Sequence, residues 1–258
     1  MRLENKVIVV TGASAGMGRC MAETFVREGA KVLAVARRKE VLEELKAETA
    51  GGPGVLEIFT ADCSRPEDCG KMIDFAVETF GRLDVLVNNA GIMDDSAPAG
   101  EFDESRLQKI FDLNTFGVLH AMKKAIQVFL AQGREDDDVD CGNIINISSI
   151  GGRHHIAGVV YCASKAAVDS MTRNTAHMYM EEGIRCNGIA PGGIITDIFT
   201  SMPETNEKGG EKVNELVAFA PPLAEADAIA NAAVYLASNE SRYMNGQILT
   251  LDGGWMNL

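Results

Sequence analysis

Short runs of apolar and β-branched residues recur along the chain, and longer segments with helical periodicity separate them. Several runs are apolar at nearly every position, which is typical of parallel strands covered on both faces. Strands that alternate with helices imply βαβ crossovers and a doubly wound parallel sheet with helices on both faces. We therefore predict an α/β fold with seven strands, at Lys6–Thr11, Lys31–Ala36, Val55–Thr60, Leu83–Asn88, Asn143–Ile147, Ile184–Ile189 and Gln247–Leu251.

No linker rich in proline or in glycine and serine divides the 258 residues, so the sequence predicts one domain over 1–258. Two polar stretches interrupt the alternation: Gly133–Gly142 is an acidic loop, and Thr200–Gly210 reads as a mobile flap. We expect a cofactor half over about 1–140, a catalytic and substrate half over about 141–258, and a mobile lid over about 192–220.

The charge and the cysteines limit the function classes. The net charge of −13 argues against nucleic acid and anionic membranes, which need clusters of Lys and Arg. No apolar run reaches the roughly 18–20 residues of a membrane helix, and the N-terminus lacks the pattern of a signal peptide. Six cysteines are scattered without paired metal-ligand spacing. We expect a cytoplasmic protein with reduced thiols and no metal ion.

Three glycines follow the first predicted strand, in the stretch TGASAGMG at residues 11–18. Glycines at a strand-to-helix turn let the backbone approach a pyrophosphate, and the new helix offers free N–H groups and the positive end of its dipole. The spacing is GxxxGxG rather than GxGxxG, but its place after an apolar strand favours dinucleotide binding. The expected contacts are Gly12, Ser14, Ala15, Gly16, Met17 and Gly18.

Two arginines follow the second predicted strand. A site that prefers NAD usually places Asp or Glu here to hold the ribose 2′-hydroxyl, and Ala36 cannot do this. Arg37 and Arg38 suit a 2′-phosphate instead, because a guanidinium group can donate two hydrogen bonds to it. The alternative is a pair of solvated charges at the start of a helix. The sequence favours NADP(H) over NAD(H), with Arg37 as the first expected contact and Arg38 as the second.

Six motifs in chain order resemble those of the short-chain dehydrogenase/reductase superfamily, in its compact single-domain form. They are TGASAGMG at 11–18, NNAG at 88–91, LNTFG at 113–117, YCASK at 161–165, PG at 191–192 and LDGG at 251–254. The resemblance runs over residues 6–254, nearly the whole chain. It implies a Rossmann-type fold and an oxidoreductase that transfers a hydride between a nicotinamide and a small molecule.

The resemblance also implies further cofactor contacts. Asp62 and Cys63 would contact the adenine, and Ser14 would help Arg37 to hold the 2′-phosphate. Lys165 would hold the nicotinamide ribose beside Tyr161. The remaining implied contacts are Asn89, Ala90 and Gly91 on the adenosine side, Pro191 and Gly192, and Ile194 and Thr196 on the nicotinamide side.

The candidate catalytic residues are Tyr161, Lys165, Ser148 and Asn114. Tyr161 and Lys165 are four residues apart and share a helix face, so the ammonium should lower the phenol pKa and make Tyr161 the proton donor or acceptor. By resemblance, the active-site serine typically lies 13 residues before the tyrosine, which selects Ser148 rather than Ser149 for binding the substrate oxygen. The resemblance also implies that Asn114 holds a water in a proton relay from Lys165.

A serine hydrolase that pairs Ser148 with His154 or His155 is the competing chemical interpretation. It would need a nucleophile elbow such as GxSxG, which the sequence around Ser148 lacks, and it would leave the glycine loop unused. Adjacent histidine side chains diverge, so they do not make a persuasive metal site. We expect both histidines to be loop residues.

The substrate contacts expected from the resemblance are apolar: Ile150, Met93, Ile195, Phe199 and Met202, together with the hydroxyl of Ser148. Two substrate classes compete, a hydroxysteroid or bile acid and a 3-oxoacyl group on an acyl carrier protein. Carrier proteins are strongly acidic and need a basic docking surface, whereas this chain is acidic in the loop before the fifth strand. The sequence therefore favours the free apolar alcohol or ketone.

The alternative to an enzyme is a relative that has lost catalysis and serves as a binding or scaffold subunit. Such a relative usually lacks the Tyr, Lys or Ser, and all three are present here.

The resemblance also implies a homotetramer or homodimer. Many relatives pair through their long helices, which correspond to Glu104–Gly133 and Val159–Glu182.

Overall fold

All seven predicted apolar runs form strands, and each boundary agrees with the prediction to within two residues. The computed structural model describes residues 1–133, 140–198, 202 and 204–257. Within these segments the strands form one parallel sheet in the order β3-β2-β1-β4-β5-β6-β7. The strands are β1 (Val7–Thr11), β2 (Lys31–Ala36), β3 (Val55–Thr60), β4 (Val85–Asn88), β5 (Gly142–Ile147), β6 (Ile184–Pro191) and β7 (Ile248–Leu251).

Helices connect the strands and cover both faces of the sheet. A π-helical segment, Asp112–Gly117, joins α4 to α5. The helices are α1 (Gly16–Arg27), α2 (Lys39–Glu48), α3 (Pro66–Phe80), α4 (Glu104–Phe111), α5 (Val118–Gln132), α6 (Val159–Met178), α7 (Glu207–Val217) and α8 (Ala226–Ala237). None of the described helices combines the length and the apolar character that a membrane crossing requires.

Alternating side chains of each strand belong to two core layers, one on each side of the sheet. On β1, Ile8 and Val10 pack with Phe25 of α1, whereas Val9 lies in the opposite layer with Phe129 of α5. Every residue of β1 is buried, which explains why the run reads as continuously apolar. The chain is one doubly wound domain, as predicted.

The strand order places the functional site. Chain connections leave β1 toward β2 on one side and reach β4 on the other, so a crevice opens at the carboxyl ends of β1 and β4. Part of the predicted flap at 200–210 is helical, because α7 begins at Glu207 with Asn206 as its cap. Most of the predicted acidic loop, residues 134–139, lies outside the described residues.

Candidate active site

The glycine loop after β1 packs so closely against neighbouring atoms that side chains would not fit at its glycines. Gly12 has φ +68° and Gly16 has φ +52°, a backbone region that favours glycine. A Cβ at Gly18 would overlap the Gly12 carbonyl oxygen and the Asn89 side chain. The Asn89 amide in turn donates to Thr11 O at 2.9 Å, which ties the loop to the end of β4. Gly18 therefore serves the packing of α1 on β1.

The N-terminus of α1 is open to an anion. Its cap residue, Ala15, makes no side-chain hydrogen bond, and the first turn contains no acidic residue. The free N–H groups and the positive end of the helix dipole therefore face the crevice without a competing carboxylate. Together with the crowded glycines, this is the surface that a pyrophosphate needs, so the residues present fit a dinucleotide.

A cleft of about 580 Å³ runs along this edge of the sheet. Thirteen of the predicted cofactor residues line it: Gly12, Ser14, Ala15, Gly16, Met17, Arg37, Arg38, Asp62, Cys63, Asn89, Ala90, Gly91 and Thr196. Sequence reasoning did not assign six further lining residues to the cofactor, which are Ala36, Ala61, Ile92, Leu113, Asp197 and Ile198. Most of these adjoin predicted positions at strand ends, and that adjacency is the signal that could have found them.

Three predicted cofactor residues, at the end of β6 or just after it, do not line the cleft. Pro191 is buried at the end of β6, and Gly192 donates its N–H to Leu251 O at 2.9 Å. Ile194 belongs to the core layer beside α1 and forms an isolated bridge with Ala224. These three residues support the residues that line the cleft without lining it themselves.

The two arginines after β2 are both exposed at the cleft, but they have different partners. Arg38 donates to the Ser14 hydroxyl at 3.0 Å. Arg37 lies near Asp62. Burial alone would raise the pKa of the Asp62 carboxyl, but hydrogen bonds from Ser64 and the charges of Arg37 and a neighbouring arginine outweigh it and lower that pKa.

Lys165 projects from the middle of α6 into a buried place beside the cleft. Its Nζ donates to Ile147 O at 3.0 Å, and a Cβ at Gly91 would lie 3.5 Å from that nitrogen. Burial lowers the pKa of Lys165 to about 8, although the charge of Asp169 one turn along α6 acts in the opposite direction. The amine thus lies beside Gly91, one of the residues that line the cleft.

Tyr161 is buried one helical turn before Lys165. The pKa of its phenol is raised to about 12: burial is the main cause, a hydrogen bond with Ser149 acts against it, and the charges of Cys162 and Asp94 add to the rise. The expected lowering by Lys165 is therefore wrong for the protein as described. The reason is geometric: the ammonium is directed to a backbone carbonyl and lies 5.8 Å from the ring centroid.

The serine beside the phenol is Ser149. Its Oγ accepts from Gly151 N at 3.0 Å, and a Cβ at Gly151 would lie 3.3 Å from both that oxygen and the Tyr161 ring. Ser148 points the other way, toward Lys165 O at 3.4 Å, and is buried. The structure therefore places Ser149, and not Ser148, beside the phenol. The two neighbouring side chains face opposite directions because the backbone is extended at Ser149.

Asn114 lies in the π-helical segment and is completely buried. Its amide donates to Ile92 O at 2.9 Å and its carbonyl accepts from Ile92 N at 2.9 Å. A Cβ on Gly91 would lie 3.2 Å from that carbonyl oxygen, so Asn114 and Lys165 face the same glycine. π-helical turns are frequent at functional sites because they redirect side chains.

The predicted substrate contacts differ in their exposure. Met93 and Ile150 are buried, whereas half of Ile195 is exposed, and none of the three lines the cofactor cleft. Met202 is half-buried, and Phe199 lies outside the described residues. His154 and His155 are both exposed in the loop before α6.

Comparisons with known proteins identify the family. The family model described as Enoyl-(Acyl carrier protein) reductase matches residues 12–256. The chain is 37% identical to 3beta-hydroxysteroid dehydrogenase 2 of Eggerthella lenta, covering 98% of this chain and 95% of that protein. It is 33% identical to the 3-oxoacyl-[acyl-carrier-protein] reductase of Thermotoga maritima, covering 98% and 99%.

A solved structure from Beutenbergia cavernae, provisionally assigned as an NAD(P)-dependent gluconate 5-dehydrogenase, holds NADP at low occupancy. It superposes with a TM-score of 0.84 at 31% identity and covers 99% of this chain and 98% of that one. With the glycine loop, the cleft and the buried phenol in one domain, these similarities show that the chain is an oxidoreductase of the short-chain dehydrogenase/reductase superfamily.

Proposed function

We propose that the protein is an NADP(H)-dependent oxidoreductase that interconverts a secondary alcohol and a ketone on a bulky apolar molecule. The observation that carries this proposal is the buried pair of Tyr161 and Ser149 beside the open cleft, with Lys165 one turn along α6. A phenol that stays protonated at neutral pH is a proton donor, which suits ketone reduction in that pH range.

Each catalytic side chain has a distinct task in this proposal. The nicotinamide supplies or accepts the hydride when it is bound. Tyr161 gives a proton to the substrate oxygen in reduction and removes it in oxidation. Ser149 donates a hydrogen bond to the same oxygen as charge develops there. Lys165 holds the ribose. Asn114 holds the backbone of Ile92 in place, next to the glycine that Asn114 and Lys165 both face.

NADP(H) is proposed over NAD(H) because positive charge surrounds the adenosine end of the cleft. Arg38 and the Ser14 hydroxyl form one pair of donors, and Arg37 is a second cation at the same strand end. We propose that they hold the 2′-phosphate, and that Asp62 accepts from the adenine amino group. The NADP in the Beutenbergia cavernae structure supports this assignment for a relative of similar length.

A hydroxysteroid or bile acid is the proposed substrate class. The support is the name of the Eggerthella lenta relative and the apolar character of Met93, Ile150 and Ile195, which the family resemblance assigns to the substrate. The second candidate is a 3-oxoacyl group on acyl carrier protein, which the Thermotoga maritima relative favours. The net charge of −13 acts against an acidic carrier.

A screen of NADP⁺-coupled oxidation over hydroxysteroids, bile acids and simple alcohols tests the substrate class. A 3-oxoacyl thioester on acyl carrier protein is assayed in parallel with NADPH. Turnover of a hydroxysteroid supports the proposal, and ready turnover of the carrier thioester alone would reverse it. Tyr161→Phe should keep NADPH binding and lose turnover by roughly 10²–10⁴-fold, the usual contribution of acid–base catalysis. Undiminished turnover in this variant contradicts the catalytic role and leaves a binding subunit as the alternative.

Two charge-reversal variants test the cofactor preference. Arg37→Asp and Arg38→Asp should each weaken NADPH binding by about 10-fold or more and leave NADH binding within about threefold, because only NADPH carries the 2′-phosphate. Fluorescence titration of the reduced cofactors measures both affinities. Equal NADPH affinity in the wild-type protein and both variants would remove the arginines from the site.

We also propose that the protein assembles as a homodimer or homotetramer through its long helices. Large apolar side chains remain exposed on them, namely Phe116 beside α5, Leu119 on α5, and Val159 and Met178 on α6. Light scattering during size-exclusion chromatography measures the mass directly. A single species of 27.7 kDa would contradict this proposal.

A further inference from the structure

The helix that carries Tyr161 begins without a capping side chain of its own. α6 starts at Val159, and its cap residue is Gly158, which has no side chain to accept a hydrogen bond. The first N–H groups of a helix have no partner within the helix and must find one elsewhere. Tyr161 occupies the third helical position, so its backbone N–H is one of these orphan donors.

Asp94, in the loop after β4, supplies the missing cap from a distant part of the chain. Its Oδ2 accepts from Tyr161 N at 2.8 Å, and its Oδ1 accepts from Gly158 N at 3.0 Å. Oδ1 also accepts from Ser96 N at 3.1 Å, and the side chain is 2% exposed. The carboxylate therefore binds the backbone of the residue that carries the phenol.

The contact is built for close approach. A Cβ at position 158 would overlap the Asp94 carboxylate, so only glycine lets the loop and the helix meet. Next to it, Val159 N donates to Ala97 O at 3.0 Å. The loop thus satisfies three backbone donors at or beside the start of α6: Gly158 N, Val159 N and Tyr161 N.

The same loop holds the first turn of α7, the helix of the expected lid. Asp95 O accepts from Asn206 N at 2.8 Å, and a Cβ at Gly209 would overlap Ser96 O. Ser96 has φ +65°, a backbone conformation that residues other than glycine rarely adopt. One side of this turn faces α6 and the other faces α7. The residues around Asp94 therefore connect α7 to the start of α6.

We propose that Asp94 is the positioning residue of Tyr161, fixing the first turn of α6 so that the phenol meets the substrate oxygen. Asp94 acts through the backbone and touches neither cofactor nor substrate. The proposal rests on the catalytic role given above to Tyr161. It assigns a role to a buried acid outside the family motifs of the sequence.

The charge of Asp94 gives the proposal a readout that a purely structural role would not move. The groups that act on the phenol are Ser149, and Cys162 and Asp94 at the start of α6, while Lys165 Nζ lies 5.8 Å from the ring centroid. Burial is the main cause of the raised pKa of Tyr161, and the negative charge of Asp94 adds to it. Neutralising Asp94 should therefore lower the pKa of the phenol.

Asp94→Asn and Asp94→Ala test the proposal, with Asp95→Asn as the matched control. Asp95 is the neighbouring acid, and its side chain accepts only from Ala97 N among the described contacts. NADPH affinity, kcat and KM with NADP⁺ and a 3β-hydroxysteroid, and thermal unfolding are measured. The phenol pKa is followed in the NADP⁺ complex by NMR of ¹³Cζ-labelled tyrosine, with Tyr161→Phe assigning the signal.

For Asp94→Asn we expect kcat to fall at least 10-fold, KM and NADPH affinity to stay within about threefold, and the phenol pKa to move down. Asp94→Ala should fall further, and Asp95→Asn should match the wild-type protein. Unchanged kcat and phenol titration in Asp94→Asn would overturn the proposal, as would a parallel loss of NADPH binding. An active Tyr161→Phe variant would instead overturn the proposed function itself. If the steroid is not turned over, the NMR titration alone decides.

Discussion

Lys165 is a buried amine whose protonation has a measurable cost. Its side chain is 5% exposed, and burial lowers its pKa from 10.5 to about 8. Below pH 8 both the folded and the unfolded chain carry the proton. Between pH 8 and 10.5 the unfolded chain still holds a proton that the folded chain has lost, so the free energy of unfolding rises with pH in this window.

Lys165→Met removes this titration. Because the shift acts only on the wild-type protein, its free energy of unfolding should rise relative to the variant by up to about 3 kcal/mol between pH 8 and 10.5. Urea unfolding at half-unit pH steps measures the difference. Lys71→Met, which changes an exposed lysine of α3, is the control. A pH-independent difference for Lys165→Met would show that the amine is not destabilised by burial.

Ser148 and Ser149 differ only in which way an extended backbone turns their side chains. Ser149 hydrogen bonds with the Tyr161 phenol, whereas Ser148 faces the backbone of Lys165. Counting back from the tyrosine selects Ser148, but the count does not show which way either side chain faces.

Alanine substitutions at the two serines should therefore have unequal effects. We expect Ser149→Ala to lower kcat by roughly 10²–10³-fold, as loss of one donor to a developing oxyanion does. Ser148→Ala should keep kcat within about threefold, since its hydrogen bond is long. Steady-state kinetics with a hydroxysteroid and cofactor titration measure both effects. A larger loss for Ser148→Ala would restore that residue to the catalytic role.

At the junction of β1 and α1, the absence of a side chain at Gly18 lets the helix pack closely against the end of the strand. Gly18 lies where the helix meets the Gly12 carbonyl and the Asn89 amide, and neither backbone nor strand end can move without disturbing the glycine loop. Close packing makes such contacts sensitive to a single methyl group.

Gly18→Ala should destabilise the protein by roughly 1–3 kcal/mol and weaken NADPH binding by at least about 10-fold. Gly70→Ala is the matched control, because no atom lies within 4 Å of a Cβ at that position in α3. It should be neutral or more stable by about 0.5–1 kcal/mol, as alanine favours the helix. Chemical unfolding and NADPH titration test both variants. Equal behaviour of the two would mean that α1 can shift freely.

Prediction from sequence works best for elements with strong periodicity. The seven strands follow from their apolar runs because both faces of a parallel sheet are buried. Contacts between distant segments leave no local pattern. The cap from Asp94 on α6 joins residues 67 positions apart, and nothing near Gly158 announces it. The π-helical turn at Asn114 is hidden in the same way, within what reads as one long helix.

At the scale of the whole molecule, the topology gathers the site. Because all seven strands are parallel, their carboxyl ends share one edge, and the loops after β1, β2, β3 and β4 all contribute to one cleft. Arg38, Asp62 and Asn89 come from three different connections, yet they line the same surface. The cofactor cleft and the expected lid therefore belong to one domain.

The net charge of −13 leads to a prediction about substrate choice. A strongly acidic carrier protein would be repelled by an acidic surface, and salt screens this repulsion with a Debye length of about 10 Å at 0.1 M. We expect kcat/KM for a carrier-bound 3-oxoacyl thioester to be low at 20 mM NaCl and to rise severalfold by 300 mM. A neutral hydroxysteroid should show almost no salt dependence, because steering requires charge on both partners. A carrier reaction that is fast at low salt and slows as salt is added would reveal a basic docking patch, and it would move the substrate assignment to the acyl carrier protein.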